Sequence, residues 1–320
     1  MKNMKAFVTG GAGFIGSHLV DLLIEKGSVT VFDNLSSGKS EFIEHHYDKN
    51  NFEFVLADLL DLGKVKKAMS GHDIVFHLAA NPDARLGIKN TDLDLKQETI
   101  ATYNVLEAMR ANKIKKIVFS SSGTIYGEAG GIPLTEDYGP VLPISLYGAG
   151  KLASEGLISA FCHTFDMQAW MFRFANIVGD RGTHGVIFDF INKLKKNPCE
   201  LEILGDGTQK KPYLYVRDCV EGMIFGLENS NESVNVFTLG CDSSTDVTTI
   251  ANIVVKELRL ENVKFKYTGG DRGWPGDVPQ VRFNCEKMNK LGWKARYTSD
   301  EVVRLTTKTL IKEYAISSDI

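Results

Sequence analysis

The sequence has few cysteines, no long apolar run and no strong charge of either sign. Its five cysteines, Cys162, Cys199, Cys219, Cys241 and Cys285, are scattered and odd in number. That excludes a disulfide framework and implies a reduced, cytoplasmic protein. Neither the cysteines nor the histidines fall at metal-ligand spacing, so no metal site is expected, and His45-His46 reads as solvated loop. No stretch approaches the roughly 18 apolar residues of a membrane-spanning helix. The first strand begins too near the start to leave room for a signal peptide. A formal net charge of −3 offers no general attraction to nucleic acid or to anionic membranes. Internal repeats and low-complexity tracts are also missing.

What is present suits a large α/β protein. The chain has 320 residues and 43% hydrophobic content, enough for a sizeable core. Apolar patterning predicts strands over 4–9, 29–32, 52–56, 74–78, 116–120 and 169–174. It predicts helices over 14–26, 40–46, 62–69, 95–111 and 147–165. This alternation implies a doubly wound parallel sheet covered on both faces, with ligands at the carboxyl ends of the strands. Past residue 176 the alternation fades. There Val186–Lys196 and Asp218–Glu228 read as helices, Tyr213–Val216 and Val234–Leu239 as strands, and Gly269–Asp277 as a structured loop.

Chemistry-bearing residues fall at the expected strand ends. The first strand runs into Gly10-Gly11-Ala12-Gly13-Phe14-Ile15-Gly16, and Ile15, Leu19, Leu22 and Leu23 recur at helical spacing. Gly10 permits the tight turn, Gly13 lets the backbone approach a pyrophosphate, and Gly16 lets helix and strand pack closely. The helix N-terminus offers free N–H groups to the phosphates. The second strand ends at Asp33, where an acid binds adenosine ribose hydroxyls and repels a 2′-phosphate, so NAD is favoured over NADP. Asp58 follows the third strand, Leu78-Ala79-Ala80 the fourth, Ser120-Ser121-Ser122 the fifth and Asn176 the sixth. Tyr147 and Lys151, four apart on a helix, share a face. A Lys ammonium beside a phenol lowers a pKa normally near ~10, giving a base that works at neutral pH.

These pieces resemble an extended short-chain dehydrogenase/reductase of the NAD-dependent epimerase/dehydratase family, most of all its UDP-galactose (UDP-glucose) 4-epimerases. The matching segments are GGAGFIG at 10–16, DNLSSG at 33–38, Ala57-Asp58-Leu59, HLAA at 77–80, SSSGTIYG at 120–127, Tyr147–Lys151, RFAN at 173–176, GDGTQ at 205–209, YLYVRD at 213–218 and Pro275-Gly276-Asp277. The resemblance covers essentially the whole chain.

The resemblance implies a Rossmann-type domain, residues 1–175 with 213–240, and a smaller nucleotide-sugar lobe, 176–212 with 241–320. It implies tightly bound NAD held by Gly10, Gly13, Phe14, Ile15, Gly16, Asp33, Asn34, Ser36, Ser37, Gly38, Asp58, Leu59, Leu78, Ala79, Ala80, Ser120, Tyr147 and Lys151. It implies a UDP-sugar held by Ser122, Asn176, Val186, Lys211, Tyr213, Arg272 and Asp277. Tyr147 would take the proton of the sugar 4-hydroxyl, Ser122 would hydrogen-bond that hydroxyl, and Lys151 would bind the nicotinamide ribose and lower the Tyr147 pKa. A 4-keto sugar would turn over and be reduced on its other face, interconverting UDP-glucose and UDP-galactose. Related dehydratases and decarboxylases carry acids just after the catalytic Ser/Thr. Here those positions are Gly123-Thr124, which argues for epimerisation. The alternatives are a UDP-glucuronate 4-epimerase, with Arg181, Thr183 and His184 at the C6 carboxylate; a UDP-N-acetylglucosamine 4-epimerase, permitted by the small Val281; and a non-catalytic NAD-binding regulator.

Glu98 stands where relatives usually carry Asn near the cofactor pyrophosphate. A carboxylate beside phosphates is repulsive, so Glu98 is expected to point away and is not a candidate site residue. A homodimer is expected from apolar residues beyond one helical stripe, Val105, Leu106, Met109, Leu152, Leu157, Ile158 and Phe161.

Overall fold

In the computed structural model, which describes residues 3–316, the chain groups into two units. The first comprises residues up to Ile125 with Ser145–Arg173 and Val220–Phe237; the second comprises Tyr126–Ile144, Phe174–Cys219 and the residues from Thr238 onward. The expected division assigned 126–144 and 213–219 to the nucleotide-binding part. The contacts group them with the second unit.

The first unit is built on a seven-stranded parallel sheet. Its strands are β1 (Met4–Thr9), β2 (Gly27–Asp33), β3 (Phe52–Leu56), β4 (Ile74–His77), β5 (Lys116–Ser122), β6 (Gln168–Phe174) and a last strand, Val234–Leu239. The order is Val234–Leu239, β6, β5, β4, β1, β2, β3. The order reverses beside β1, between β4 and β2, which opens the crevice where doubly wound sheets bind ligands. β1 pairs in parallel with β2 and β4, in register Thr9 to Phe32 and Thr9 to His77, so these strand ends lie level. The inner strands form because their apolar runs are buried on both faces, with Phe7, Val8, Val31, Val75, Phe76 and Phe119 fully covered, whereas the edge strand β3 is only partly covered.

Helices α1 (Phe14–Leu23), α2 (Leu62–Ala68), α3 (Leu86–Lys89), α4 (Ala101–Asn112) and α5 (Leu146–Phe165) accompany this sheet. α1 is set by its apolar spacing, with Leu19, Val20 and Leu23 buried. α5 is capped by Ser145, whose side chain accepts from the Gly148 amide at 3.1 Å. The helix expected over 95–111 is in fact a π-helical turn, Leu95–Ile100, running into α4. The helix expected over 40–46 is two short 3-10 turns, Ser40–Phe42 and Glu44–His46. His46 is buried, contrary to the solvated reading, and both imidazoles bond Asp21 Oδ1, His45 at 2.9 Å and His46 at 2.7 Å.

Val105, Leu106, Met109 and Ile158 are wholly buried in the core of this unit. Their apolar character is thus satisfied within the monomer, contrary to the expectation that they face a second copy. On the segments 95–112 and 146–165 the large apolar groups left exposed are instead Leu95, Ile100, Tyr103, Leu146 and Phe165.

The second unit has its own core. Ile187, Phe190, Ile191 and Leu194 of the helix Val186–Lys196 pack with Ile250, Ala251 and Val254 of Val247–Glu257 and with Val302, Val303 and Leu310 of Ser299–Ile316. Short strand pairs complete it, Glu200–Ile203 with Lys264–Tyr267 and Asn176–Val178 with Tyr213–Tyr215, both parallel. Sequence periodicity past Leu239 yields no element, yet the helices Val247–Glu257, Glu286–Leu291 and Ser299–Ile316 form there. Among the described residues, no helix is long and apolar enough to cross a membrane.

Candidate active site

At the carboxyl end of β1 the chain turns through Gly10 at φ +69°, in the left-handed region. A Cβ there would lie 2.6 Å from the Ala79 amide nitrogen, so the β1 and β4 ends approach backbone to backbone. At Gly16 a Cβ would lie 2.0 Å from the Gly10 carbonyl, which forces the close packing of helix on strand. Gly13 differs. Its Cβ would meet only the Gly10 carbonyl, at 3.1 Å, so the space over the N-terminus of α1 is open. Phe14 and Ile15 form the first turn there, and Gly13 caps the helix without a side chain. This cradle fits a pyrophosphate.

Asp33 ends β2 and is buried. Its Oδ2 accepts from the Ala12 amide at 3.0 Å and its Oδ1 from Leu35 at 2.8 Å. A carboxylate has about four acceptor sites, so capacity remains for ribose hydroxyls. Burial raises the Asp33 pKa, and the backbone hydrogen bonds oppose that rise. Gly38 returns close to Ala12, while Asn34, Ser36 and Ser37 are exposed. Asn34 Nδ2 donates to Asp58 Oδ2 at 2.9 Å. Leu59 is buried, and its carbonyl accepts from Asn104 Nδ2 at 2.8 Å. Leu78, Ala79 and Ala80 follow β4. The Leu78 amide bonds the Thr9 carbonyl, and Ala79 bonds Thr9 Oγ1 at 3.3 Å. His77 joins Thr9 Oγ1 (2.7 Å) to Thr102 Oγ1 (3.0 Å), and burial lowers its pKa to about 3, so it is neutral.

Ser120 and Ser122 lie on β5 itself, which runs two residues further than expected. Ser120 Oγ donates to the His77 carbonyl at 3.3 Å. Ser122 Oγ accepts from the Thr124 amide at 3.2 Å and from Thr124 Oγ1 at 3.0 Å. Both donors occupy its lone pairs, so its own hydrogen is free to reach the phenol of Tyr147, with which it bonds. Thr124 is a positioning group that sequence reasoning missed. Lys151 is buried, with its ammonium 4.9 Å from the Phe119 ring centroid and 5.7 Å from that of Tyr147.

Two findings correct the sequence reading of this group. The Tyr147 pKa is raised, first by burial and then by the Glu98 carboxylate, against which the Ser122 hydrogen bond works. Glu98, left out of the site candidates, stands beside Lys151. It is buried, with Oε2 2.9 Å from Lys151 Nζ and Oε1 accepting from the Asn81 amide at 3.2 Å.

Apart from Ser122, the nucleotide-sugar candidates lie in the second unit. Asn176 is exposed, Val186 packs against that unit's core, and Tyr213 is buried within it. Lys211 forms an ion pair with Asp277. Asp277 also accepts from the Gly273 amide at 3.1 Å, and its carbonyl accepts from Arg272 Nη1 at 3.0 Å. Arg272 pairs with Glu128 as well. The two cations are thus matched to carboxylates within their own unit, a pairing that sequence spacing did not reveal.

A family model described as "NAD dependent epimerase/dehydratase family" matches residues 6–240. The chain belongs to this family. It is 34% identical over 308 residues to a putative UDP-glucose 4-epimerase of Methanocaldococcus jannaschii, covering 93% of this chain and 95% of that protein. It is similar to a crystal structure of a UDP-galactose 4-epimerase, with a TM-score of 0.86, 39% identity, and 97% and 99% of the two chains covered. It is also similar to the UDP-glucuronic acid 4-epimerase of Bacillus cereus, solved with UDP-glucuronic acid and NAD, with a TM-score of 0.88, 25% identity, and 97% and 100% covered. The chain is therefore an NAD-dependent enzyme of the UDP-sugar epimerase/dehydratase family. The open cradle at Gly13 and the buried acceptor Asp33 fit that cofactor.

Proposed function

We propose that the protein interconverts UDP-glucose and UDP-galactose by epimerisation at C4. The observation that carries this reading is the triad Ser122, Tyr147 and Lys151, with Thr124 and no acid beside Ser122. NAD supplies reversible oxidation at the sugar C4 carbon. Tyr147 accepts the proton of the 4-hydroxyl and later returns it. Ser122, its lone pairs filled by Thr124, orients that hydroxyl by turning toward it the one hydrogen it gives Tyr147 in the ligand-free protein. Lys151 supplies the positive charge beside the phenol. Dehydration would need a general acid at Gly123 or Thr124, and neither side chain provides one.

The neutral sugar is favoured over a uronic one by Glu313, whose carboxylate oxygens accept from the Arg181 amide at 3.3 and 3.4 Å. A carboxylate already held at that loop opposes a second. Asn176, Val186, Lys211, Tyr213 and Arg272 are proposed as substrate contacts, with Asp277 setting the position of Lys211 and Arg272. A homodimer is proposed from the exposed apolar row Leu95, Ile100, Tyr103 and Phe165, where the Tyr103 and Phe161 rings meet edge to face at 6.4 Å. Sedimentation that finds only monomer at micromolar concentration would count against it. A cytoplasmic setting accords with five free cysteines.

The deciding experiment incubates the purified protein separately with UDP-glucose, UDP-N-acetylglucosamine and UDP-glucuronate, and identifies the sugars formed. Tyr147→Phe should abolish turnover while NAD still binds. Near-normal epimerase activity in that variant would refute the mechanism.

A further inference from the structure

The π-helical turn Leu95–Ile100 carries Glu98 into the interior beside Lys151, and both side chains are only 1% exposed. Wide turns of this kind interrupt helices most often at functional sites. The neighbouring helix is shaped to receive the side chain. Gly150 precedes Lys151, and a Cβ there would lie 2.8 Å from Glu98 Cβ and 3.0 Å from its Cγ. Ser154, one turn on, donates to the Glu98 carbonyl at 3.2 Å. A carboxylate is thus built into the site, fixed by the Asn81 amide on one oxygen and by the Lys151 ammonium at the other.

The groups facing it come from several elements. Asp94, at the entry to the same turn, is buried and bonds Asn81 Nδ2 at 2.9 Å. Tyr147 and Lys151 come from α5, and the neutral His77 of β4 faces Lys151. Among the described residues the cation that faces these acids is Lys151. Burial raises the pKa of both carboxyls, and Lys151 works against that rise; where they are ionised, a phenolate at Tyr147 would be a further anion around one ammonium.

We propose that Glu98 is a positioning residue that holds Lys151 in a buried ion pair and so controls when Tyr147 can ionise. The proposal rests on the reading of Tyr147 and Lys151 as the catalytic pair and adds a control on it. In the ligand-free protein the lysine charge is matched by Glu98, and Tyr147 keeps its proton. Anything that neutralises Glu98 or draws Lys151 from it releases the ammonium to favour the phenolate. An amide at 98 would remove the carboxylate paired with the ammonium and leave Asp94 as the acid that faces it.

The test is the titration of Tyr147, read as tyrosinate absorbance of the NAD-loaded protein after subtraction of the Tyr147→Phe protein. Glu98→Gln, similar in size and without the charge, should move this titration to lower pH by about 1–3 units. The acidic limb of the pH–rate profile should move the same way. Glu98→Asn, a shorter uncharged amide, is the second variant should Gln not fold. A Tyr147 titration unchanged in a folded amide variant overturns the proposal, because a merely structural Glu98 would alter melting and leave the titration in place. Turnover by Tyr147→Phe would instead sink the catalytic reading, so the two failures are distinct.

Discussion

Alanine at Gly13 and alanine at Gly16 should have opposite consequences, although the residues are three apart in one loop. Gly13 has φ −78° and ψ 178°, a conformation open to any residue. A methyl there meets a single atom at 3.1 Å, which a shift of a few tenths of an ångström relieves. Removing glycine's freedom from the unfolded chain stabilises by about 0.4–1 kcal/mol, so the ligand-free protein should change by less than about 1 kcal/mol. The same methyl intrudes on the open cradle over the α1 N-terminus, so NAD should be lost. At Gly16 the methyl lies 2.0 Å from the Gly10 carbonyl oxygen and 2.9 Å from Gly11 Cα. Backbone must move, and overpacking of this kind costs about 1–3 kcal/mol or more. At one hundred times its Kd, NAD stabilises wild type by about 2.7 kcal/mol, roughly 5 °C for a chain of this size. Thermal unfolding with and without NAD reads all of this. Gly13→Ala should melt near wild type and gain nothing from NAD, whereas Gly16→Ala should melt lower from the start. A Gly13→Ala protein that gains the full NAD shift would refute the cradle.

Three further outcomes are expected. NAD should bind more tightly than NADP in direct titration, because the buried Asp33 carboxylate repels a 2′-phosphate; equal affinities would remove that role. Glu155→Ala should cost about 3–5 kcal/mol in denaturant unfolding, since it removes one member of the buried ion pair with Arg173, bonded to Glu155 at 2.8 and 3.1 Å, and the acceptor of Ser121 Oγ; a loss below about 1 kcal/mol would show the pair to be dispensable. Val281→Tyr should lower turnover of the N-acetylated sugar selectively, by the 10–200-fold that a change of pocket size yields; an equal loss on UDP-glucose would refute the assignment of Val281 to the pocket.

The parts of the site that were legible in the sequence are those whose requirement is local. Gly10, Gly13 and Gly16 are readable because turn, approach and packing act within one strand–helix junction. Tyr147 and Lys151 are readable because helical spacing alone puts them on one face. Thr124 was passed over, since a threonine two residues after Ser122 carries no signal until both its donors are seen to meet one oxygen. The Glu98–Lys151 pair was not legible because the direction of Glu98 is set by a widened turn and by Gly150 on another helix. Spacing also hides the pairs Lys211–Asp277 and Arg272–Glu128, whose members come from distant segments. The sheet was legible for a similar reason: its strands are continuous apolar runs. The helices past Leu239 have a weak signal: Ile250 and Val254 lie four apart, while Val302 and Val303 are adjacent and give no helical period.

The interleaving of the two units bears on how the protein can be made. The chain passes between them at 125/126, 144/145, 173/174, 219/220 and 237/238, so neither unit is one uninterrupted stretch. As the ribosome delivers the chain, the unit bearing the glycine loop waits for Val220–Phe237 before its edge strand, Val234–Leu239, can join the sheet. Until then the β6 edge stays unpaired, and exposed edges invite association with other chains. A fragment ending before Val234 should therefore aggregate rather than fold, and no single cut releases either unit whole.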